Sequence, residues 1–275
     1  MTADPAPDTH TTMNESFSSS LGLSDDGFLG HRLTVLQPEK GYRAGIDAVM
    51  LAASVPAKAG ERVLDLGAGV GVASLCLAAR SSETDVTGLE IQADLVSVGK
   101  ENTHRNALSE RVRIVEGSVS EKAAALERKQ VTYGSFDHVM TNPPFYDSGT
   151  VWNSPDAGKA MAHAFDGTDL EQWVHVACAM ARPKGTVTFV HRADALPELL
   201  AQVQGRLGGL IAFPLWPDAK SASQNASRIL LQGVKGSRAP FTLAAGLVLH
   251  TANGGFTDAA SAILREGKAL SLGSA

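Results

Sequence analysis

The strongest indication of the fold is the sequence Val63-Leu64-Asp65-Leu66-Gly67-Ala68-Gly69-Val70-Gly71. It has the pattern of a buried strand that ends in a glycine-rich turn, and a helical pattern at Val70–Arg80 follows. Glycine suits such a turn because the backbone must bend tightly and let a ligand approach without a Cβ in the way. Doubly wound sheets bind ligands at the carboxyl ends of their strands, where this turn lies. The stretch therefore predicts a ligand-binding loop between a strand and a helix.

Strand and helix patterns alternate along most of the chain, which favours a mostly parallel sheet covered by helices on both faces. We expect a doubly wound, Rossmann-like α/β fold with seven strands, one of them an antiparallel closing strand. A hairpin is predicted over Phe28–Gln37, and the end of the chain suggests a strand, a turn at Asn253-Gly254-Gly255 and a helix from Thr257. The predicted strands of the sheet are Arg62–Leu66, Asp85–Glu90, Arg111–Val115, Phe136–Thr141, Gly185–His191, Leu210–Trp216 and Arg228–Val234, and the predicted helices are Asp47–Ala53, Val70–Arg80, Ala93–Asn106, Ser120–Lys129, Asp169–Ala181 and Ala193–Leu207.

Length and composition predict a single domain over residues 25–275, with a hairpin and a helix ahead of the glycine loop. The chain has 275 residues, of which 44% are hydrophobic. Residues 1–24 are rich in Ser, Thr, Asp and Pro, so we expect a disordered acidic tail. The net charge of −5 originates ahead of Arg32, where the chain has five acidic and no basic residues. The remainder is formally neutral, so the charge balance neither excludes nor indicates a nucleic-acid partner.

Cysteine and histidine usage indicates neither a disulfide framework nor a metal site. Cys76 and Cys178 lie in apolar helical runs and are predicted to be buried in a reduced compartment. The amino terminus lacks a secretory pattern, and no apolar run is long enough for a membrane span. We expect a cytoplasmic monomer or homodimer without a membrane partner. No metal is expected, because no ligand spacing connects the histidines, which include His104, His138, His163 and His191.

Two acidic residues flank the glycine loop and indicate its ligand. Compared with a dinucleotide fingerprint, the third glycine comes one residue early and Asp65 precedes the loop. A carboxylate there suits a cationic ligand with an amino group, such as S-adenosyl-L-methionine, and disfavours phosphate. Glu90 ends the next strand, where it could accept both ribose hydroxyls; a dehydrogenase or a purely structural turn is the alternative. The expected binding residues around the loop are Asp65, Gly67, Ala68, Gly69, Gly71, Glu90 and Ile91.

The tetrad Asn142-Pro143-Pro144-Phe145 directly follows the fourth predicted strand. Consecutive prolines stiffen the backbone and leave its carbonyl oxygens free. The side-chain oxygen of Asn142 and the carbonyl of Pro143 could accept both hydrogens of one NH₂ group and aim its lone pair at a methyl carbon. Phe145 could stack on a planar substrate. We therefore interpret the tetrad as catalytic and expect Asn142 to contact the cofactor as well; the alternative is that Pro-Pro merely ends a strand.

With both motifs in place, the chain resembles the methyltransferases that carry an Asn-Pro-Pro-aromatic motif. It is most similar to the bacterial tRNA(Val) adenine-37 N6-methyltransferases. The closer match rests on Gln37-Pro38-x-x-Gly41-Tyr42-Arg43-x-Gly45-x-Asp47-Ala48, on Lys235-Gly236, and on His250 with Gly254-Gly255-Phe256-Thr257. The similarity spans about residues 25 to 268.

The resemblance implies a seven-stranded methyltransferase sheet and a segment from Gln37 to Asp47 that folds over the cofactor. Gln37, Tyr42, Arg43 and Asp47 would then bind near its methionine end. The alternative for Arg43 is a structural ion pair with Asp47 that fixes the hairpin. Ser118 stands where the family usually offers an Asp to the cofactor adenine, so a hydroxyl would make that contact here.

The leading hypothesis is methylation of adenine N6 in the anticodon loop of tRNA. Three alternatives stay open: a protein glutamine N5-methyltransferase, an enzyme for ribosomal RNA or a small amine, and a non-catalytic module that binds cofactor or RNA. The last is disfavoured by an intact Asn142. The basic residues that could contact tRNA phosphates, although surface solvation explains them equally well, are Arg32, Lys40, Arg43, Lys220, Arg228, Lys235 and Arg238.

Overall fold

The computed structural model describes residues 22–144, 169–218 and 225–273. Most of the predicted tail lies outside this part of the chain, as do Phe145, His163 and Lys220. The strands are β1 (Leu23–Phe28), β2 (Leu33–Pro38), β3 (Arg62–Leu66), β4 (Asp85–Glu90), β5 (Val112–Glu116), β6 (Phe136–Thr141), β7 (Ala181–Arg192), β8 (Leu207–Asp218), β9 (Arg228–Lys235), β10 (Thr242–Leu243) and β11 (Leu247–His250). The helices are α1 (Ile46–Ser54), α2 (Val72–Arg80), α3 (Ala93–Arg105), α4 (Ala123–Arg128), α5 (Leu170–Met180), α6 (Leu196–Val203) and α7 (Asp258–Leu264).

The main sheet has the order β10-β8-β9-β7-β6-β3-β4-β5, and β11 also pairs with β8. Strands β3 to β7 are mutually parallel, whereas β9 runs antiparallel to both β7 and β8. The seven predicted strands and the antiparallel closing strand are therefore confirmed. The short strands β10 and β11 pair parallel to β8 and bring the sheet to nine strands.

Each face of the sheet has its own apolar core, as the alternation of strand residues predicts. Val63 and Met140 point into a cluster with α1, α2, α3 and the β1–β2 hairpin, whereas Leu64 and Val139 point into a cluster with α4, α5 and α6. The sheet is thus covered by helices on both sides, and the carboxyl ends of its parallel strands form one open edge.

Close packing brings β4 against the glycine loop. A Cβ at Gly88 would lie 2.6 Å from Ile114 Cδ1 and 2.7 Å from Ala68 Cβ, so any larger residue would displace the loop. Gly71, with φ 88°, precedes α2 in the left-handed region that favours glycine. The sheet thereby fixes where the loop lies at the open edge.

Several predicted boundaries were wrong for local reasons. The hairpin begins at Leu23 rather than Phe28, because Leu23 pairs with Pro38; two residues of the predicted tail are therefore in a strand. Helix α4 starts later than predicted, since the backbone N–H of Ser120 bonds to the hydroxyl of Ser118, 3.1 Å away. The helix predicted over Ala193–Leu207 is a 3₁₀ turn followed by α6, which ends at Val203.

Within the described ranges, none of the helices has the length and apolar character that a membrane crossing requires.

Candidate functional site

The glycine loop is closed on one side and open on the other. Gly67 N and Ala68 N both donate to Leu89 O, at 2.8 and 3.0 Å, which fastens the loop to β4. A Cβ at Gly67 would lie 2.8 Å from Trp173 Cζ2, whereas no atom of the described residues would lie within 4 Å of one at Gly69. The loop therefore presents its backbone around Gly69 to open space, as a ligand cradle requires.

Glu90 anchors this cradle from the end of β4. Its carboxylate is buried, with 6% of the residue exposed, and it accepts hydrogen bonds from Gly69 N and Gln92 N, both at 2.9 Å. Burial raises the pKa of Glu90, although the backbone N–H groups oppose the shift. The side chain is therefore fixed beside the open face of the loop and retains lone pairs for further donors.

Asp65 lies on the neighbouring strand, as the penultimate residue of β3. It is 2% exposed and accepts a hydrogen bond of 2.7 Å from Ser74 Oγ on α2. Burial raises the pKa of Asp65 to about 6. Sequence reasoning missed Ser74; a lone hydroxyl within the apolar run of α2 was the available signal. The two acids together give the loop a set of acceptors that matches a cationic ligand carrying hydroxyl groups.

Asn142 is the first residue after β6. Its Nδ2 donates to the hydroxyl of Tyr42 at 2.8 Å, whereas its Oδ1 is buried and has no hydrogen-bond partner among the described residues. Pro143 and Pro144 are buried. A buried amide oxygen without a partner is costly, so this oxygen is positioned for a donor that comes from a ligand.

The segment from Gln37 to Asp47 forms a strap across the carboxyl edge. Gln37 is buried and holds both main-chain groups of Ala44, accepting from its N at 2.8 Å and donating to its O at 3.2 Å. Arg43 forms an ion pair of 2.5 Å with Asp26 of the hairpin. Arg43 thus fixes the hairpin, which was the alternative role considered for it. Its partner, however, is Asp26 and not Asp47.

Asp47 binds a residue from the far end of the chain. Arg228 Nε donates to its Oδ2 at 2.7 Å. Both Asp47 and Asp65 act electrostatically on Tyr42: burial of its hydroxyl raises the pKa of Tyr42 first, and the two carboxylates raise it further. The structure therefore brings Tyr42, Asp47, Asp65 and Asn142 into one neighbourhood, whereas the side chains of Gln37 and Arg43 face the hairpin.

Ser118 lies just beyond β5, next along the edge from Glu90. Its N–H donates to Glu121 Oε1 at 3.0 Å and its hydroxyl bonds to Ser120 Oγ at 2.8 Å. Gly117 N donates to Glu90 O at 2.8 Å, which ties this turn to the end of β4, where half-buried Ile91 follows. Ser118 is therefore on the expected edge, with a hydroxyl in place of a carboxylate.

Asn102 is a residue of the site that sequence reasoning missed. It is fully buried on α3, where its amide accepts from Leu36 N at 2.8 Å and donates to Leu36 O and Val70 O, both at 3.0 Å. One side chain thus joins the hairpin, α3 and the glycine loop. An asparagine on the apolar face of a helix was the signal.

Both cysteines and His138 are buried in the fold. Cys76 and Cys178 are buried, as predicted, and burial raises the pKa of each thiol to about 12. His138 is buried between Thr186 Oγ1, at 2.7 Å, and Glu61 Oε2, at 2.9 Å. The described residues contain no group of side chains arranged to hold a metal ion.

The basic residues expected at a tRNA surface fall into two groups. Lys40 and Arg238 are exposed. Four others bind groups of this chain, namely Arg32, Arg43, Arg228 and Lys235.

Known proteins similar to this chain are methyltransferases. Residues 43–164 match the family model of the methyltransferase small domain. Over 170 residues the chain is 30% identical to a tRNA1(Val) (adenine(37)-N6)-methyltransferase of Shewanella baltica, an alignment that covers 60% of this chain and 67% of the relative.

Two solved structures share the fold. A crystal structure from Agrobacterium tumefaciens, described as a predicted O-methyltransferase, superposes with a TM-score of 0.67 and 27% identity, covering 82% of this chain and 98% of that one. A 16S rRNA N2 G1207 methyltransferase of T. thermophilus, solved with AdoMet and guanosine, superposes with a TM-score of 0.50 and 21% identity, covering 78% and 50%. The open cradle and its two acids fit S-adenosyl-L-methionine. This chain is therefore an S-adenosyl-L-methionine-dependent methyltransferase and belongs to the family of the tRNA1(Val) (adenine(37)-N6)-methyltransferases.

Proposed function

We propose that this enzyme methylates N6 of adenine in tRNA, at position 37 of tRNA(Val). The observation that supports this most strongly is the buried, unpaired Oδ1 of Asn142 at the end of β6. An oxygen in that position requires a hydrogen-bond donor, and an exocyclic NH₂ group supplies one. The name of the Shewanella baltica relative supports adenine 37 of tRNA as the acceptor.

In this proposal the enzyme accelerates methyl transfer by positioning the substrate amine. The lone pair of an exocyclic amine is delocalised into its ring, so the nitrogen is a poor nucleophile until its hydrogens are held out of the ring plane. Asn142 Oδ1 and the carbonyl of Pro143 accept the two hydrogens and direct the lone pair. Preorganised acceptors of this kind contribute rate without a strong base. Phe145 as a stacking partner for the base remains a prediction.

The cofactor, when bound, supplies an electrophilic methyl group on a sulfonium. In our proposal Glu90 accepts from the ribose hydroxyls, Asp65 faces the amino group, and the backbone from Gly67 to Gly71 surrounds the ligand. Ile91 and Ser118 lie beside the adenine. The ring of Tyr42 and the carboxylate of Asp47 close the methionine end, and Gln37 and Arg43 contribute by holding the strap in place.

The proposed tRNA partner must deliver its base to a site below the molecular surface. Anticodon-loop bases are only partly stacked, so the energy needed to extrude one is small. Lys40 and Arg238 are exposed and available for phosphate oxygens. Because only a few such contacts are available, we expect binding to weaken with salt less steeply than for a strongly basic tRNA-binding protein. An enzyme with this substrate would work in the cytoplasm.

The acceptor can be identified with labelled cofactor. Unmodified tRNA, ribosomal RNA and a release factor are offered in parallel, and label is expected in tRNA alone, as N6-methyladenosine after nuclease digestion. A tRNA(Val) transcript with adenine 37 replaced by guanine is the matched control and should remain unlabelled. Label in the protein fraction, or in tRNA that lacks adenine 37, would contradict the proposal.

A further inference from the structure

The hydroxyl of Tyr42 is the hydrogen-bond partner that holds the amide of Asn142. The two side chains come from distant parts of the chain, 100 residues apart, and meet at 2.8 Å, with Asn142 Nδ2 donating to the tyrosine oxygen. An asparagine amide offers a donor on one side and an acceptor on the other. If the amide were rotated by 180° about its Cβ–Cγ bond, its NH₂ group, and not its oxygen, would face the substrate nitrogen that receives the methyl group.

We propose that Tyr42 is a positioning residue for methyl transfer: its hydroxyl fixes the amide of Asn142 so that Oδ1, and not Nδ2, faces the substrate amine. This inference rests on the proposed function, because it assigns the free oxygen to an NH₂ acceptor. It differs from the role that the resemblance implies for Tyr42, which is contact with the cofactor. The bond to Tyr42 and the unpaired Oδ1 belong to the same amide. Together they define its orientation, with the nitrogen toward Tyr42 and the oxygen without a partner among the described residues.

The strap provides the rigidity that such a role requires. Immediately after Tyr42, Arg43 is bound to Asp26, and Ala44 is held through both main-chain groups by Gln37. The backbone beside Tyr42 is therefore fixed to the hairpin. This fixes the position of the Tyr42 hydroxyl relative to the end of β6. Although 65% of Tyr42 is exposed, its hydroxyl end reaches inward to Asn142.

The electrostatic surroundings keep the hydroxyl neutral. Burial raises the pKa of Tyr42, and the carboxylates of Asp47 and Asp65 add to this effect, although the bond from Asn142 opposes it. A neutral hydroxyl accepts one hydrogen bond from Nδ2 and keeps its own proton. The bond from Nδ2 should therefore persist across the pH range in which the enzyme works.

The test combines Tyr42→Phe, Asn142→Ala and the double variant, with Tyr133→Phe as a control. Tyr133 packs against the second core cluster, away from the carboxyl edge. For Tyr42→Phe we expect a kcat about tenfold lower, the size of one lost hydrogen bond, with KM and the dissociation constant of the cofactor within about twofold of wild type. In the Asn142→Ala background the same substitution should have no further effect on kcat. A full kcat in Tyr42→Phe, an undiminished effect in the double variant, or a loss confined to cofactor binding would each overturn the inference.

A second measurement separates this inference from the proposed function. In nitrogen-15 spectra of the ligand-free protein, the side-chain NH₂ signals of Asn142 are identified by their loss in Asn142→Ala. They should shift in Tyr42→Phe and stay in place in Tyr133→Phe; signals unmoved in Tyr42→Phe would overturn the inference. This readout needs no acceptor, so a wild-type enzyme that labels some substrate other than tRNA refutes the proposed function alone.

Discussion

The glycine loop and the end of β6 differ in how their buried polar groups are hydrogen-bonded. Around the glycine loop, Asp65 is bound by Ser74, and Glu90 by Gly69 N and Gln92 N. At the end of β6, Asn142 has a partner for its nitrogen and none among the described residues for its oxygen. The loop side thus satisfies its acids within the fold, whereas in our proposal the β6 side is completed by a substrate. Substitutions on the two sides should therefore affect different measurements.

The largest effect is expected for Asn142→Ala. Loss of one preorganised hydrogen-bonding group at a reacting centre lowers kcat by about 10²- to 10³-fold. Cofactor affinity should fall by no more than about tenfold, since one favourable contact at most is lost there. Single-turnover kinetics and calorimetry measure the two quantities. Asn253→Ala, in an exposed turn, is the control and should match wild type. If cofactor affinity fell as far as kcat, the division between the two sides would be wrong.

Asp65 should make the stability of the ligand-free enzyme depend on pH. Its folded pKa of about 6 lies above the ordinary value of 3.8, so the folded state binds the extra proton. The stabilisation is therefore complete below about pH 4 and is lost as pH rises through 6, an effect of about 3 kcal/mol. The free energy of unfolding of wild type minus that of Asp65→Asn, measured by urea titration at pH 4 and pH 7, should fall by this amount. A difference that rose with pH, or stayed constant, would contradict the assignment.

Glu90→Gln should weaken the loop side without changing kcat at saturation. Glutamine retains one oxygen for the two backbone donors, so one buried N–H loses its partner, and cofactor affinity should fall about tenfold. Glu116 pairs with Glu90 across β4 and β5 but is exposed, which makes Glu116→Gln a matched control that should bind normally. Equal losses in both variants would indicate a general charge effect and not a contact by Glu90.

The smallest effect is expected for Ser118→Ala. The hydroxyl of Ser118 already bonds to Ser120, so its removal should lower cofactor affinity by less than about threefold. The same calorimetric series as for Glu90→Gln measures it. A loss above tenfold would show that this hydroxyl does the work of the carboxylate that the family usually has.

Local pattern predicted the parallel core of the sheet well. The bounds of β3, β4 and β6 agree with the structure, because each is an apolar run closed by a glycine, an acid or an Asn-Pro pair. The acids at the loop and Asn142 lie at strand ends, so strand positions alone placed them at the same edge. Periodicity and motif spacing were sufficient for this part of the site.

Contacts between distant segments could not be predicted in this way. Arg43 and Asp47 are four residues apart, a spacing that gives an ion pair on a helix. Here Gly45 precedes α1 and breaks that geometry, so each charge pairs elsewhere, with Asp26 and with Arg228. Asn102 likewise acts through tertiary packing, since its three bonds reach residues 32 and 66 positions away. Only the assembled fold shows such partners.

The pair between Asp47 and Arg228 has a consequence for how the enzyme is made, because 181 residues separate its members. A ribosome translates the glycine loop and Asn142 well before it reaches Arg228. Until that arginine has emerged, the carboxylate at the start of α1 lacks its guanidinium. The neighbourhood of Tyr42 can therefore be completed only after β9 has been translated.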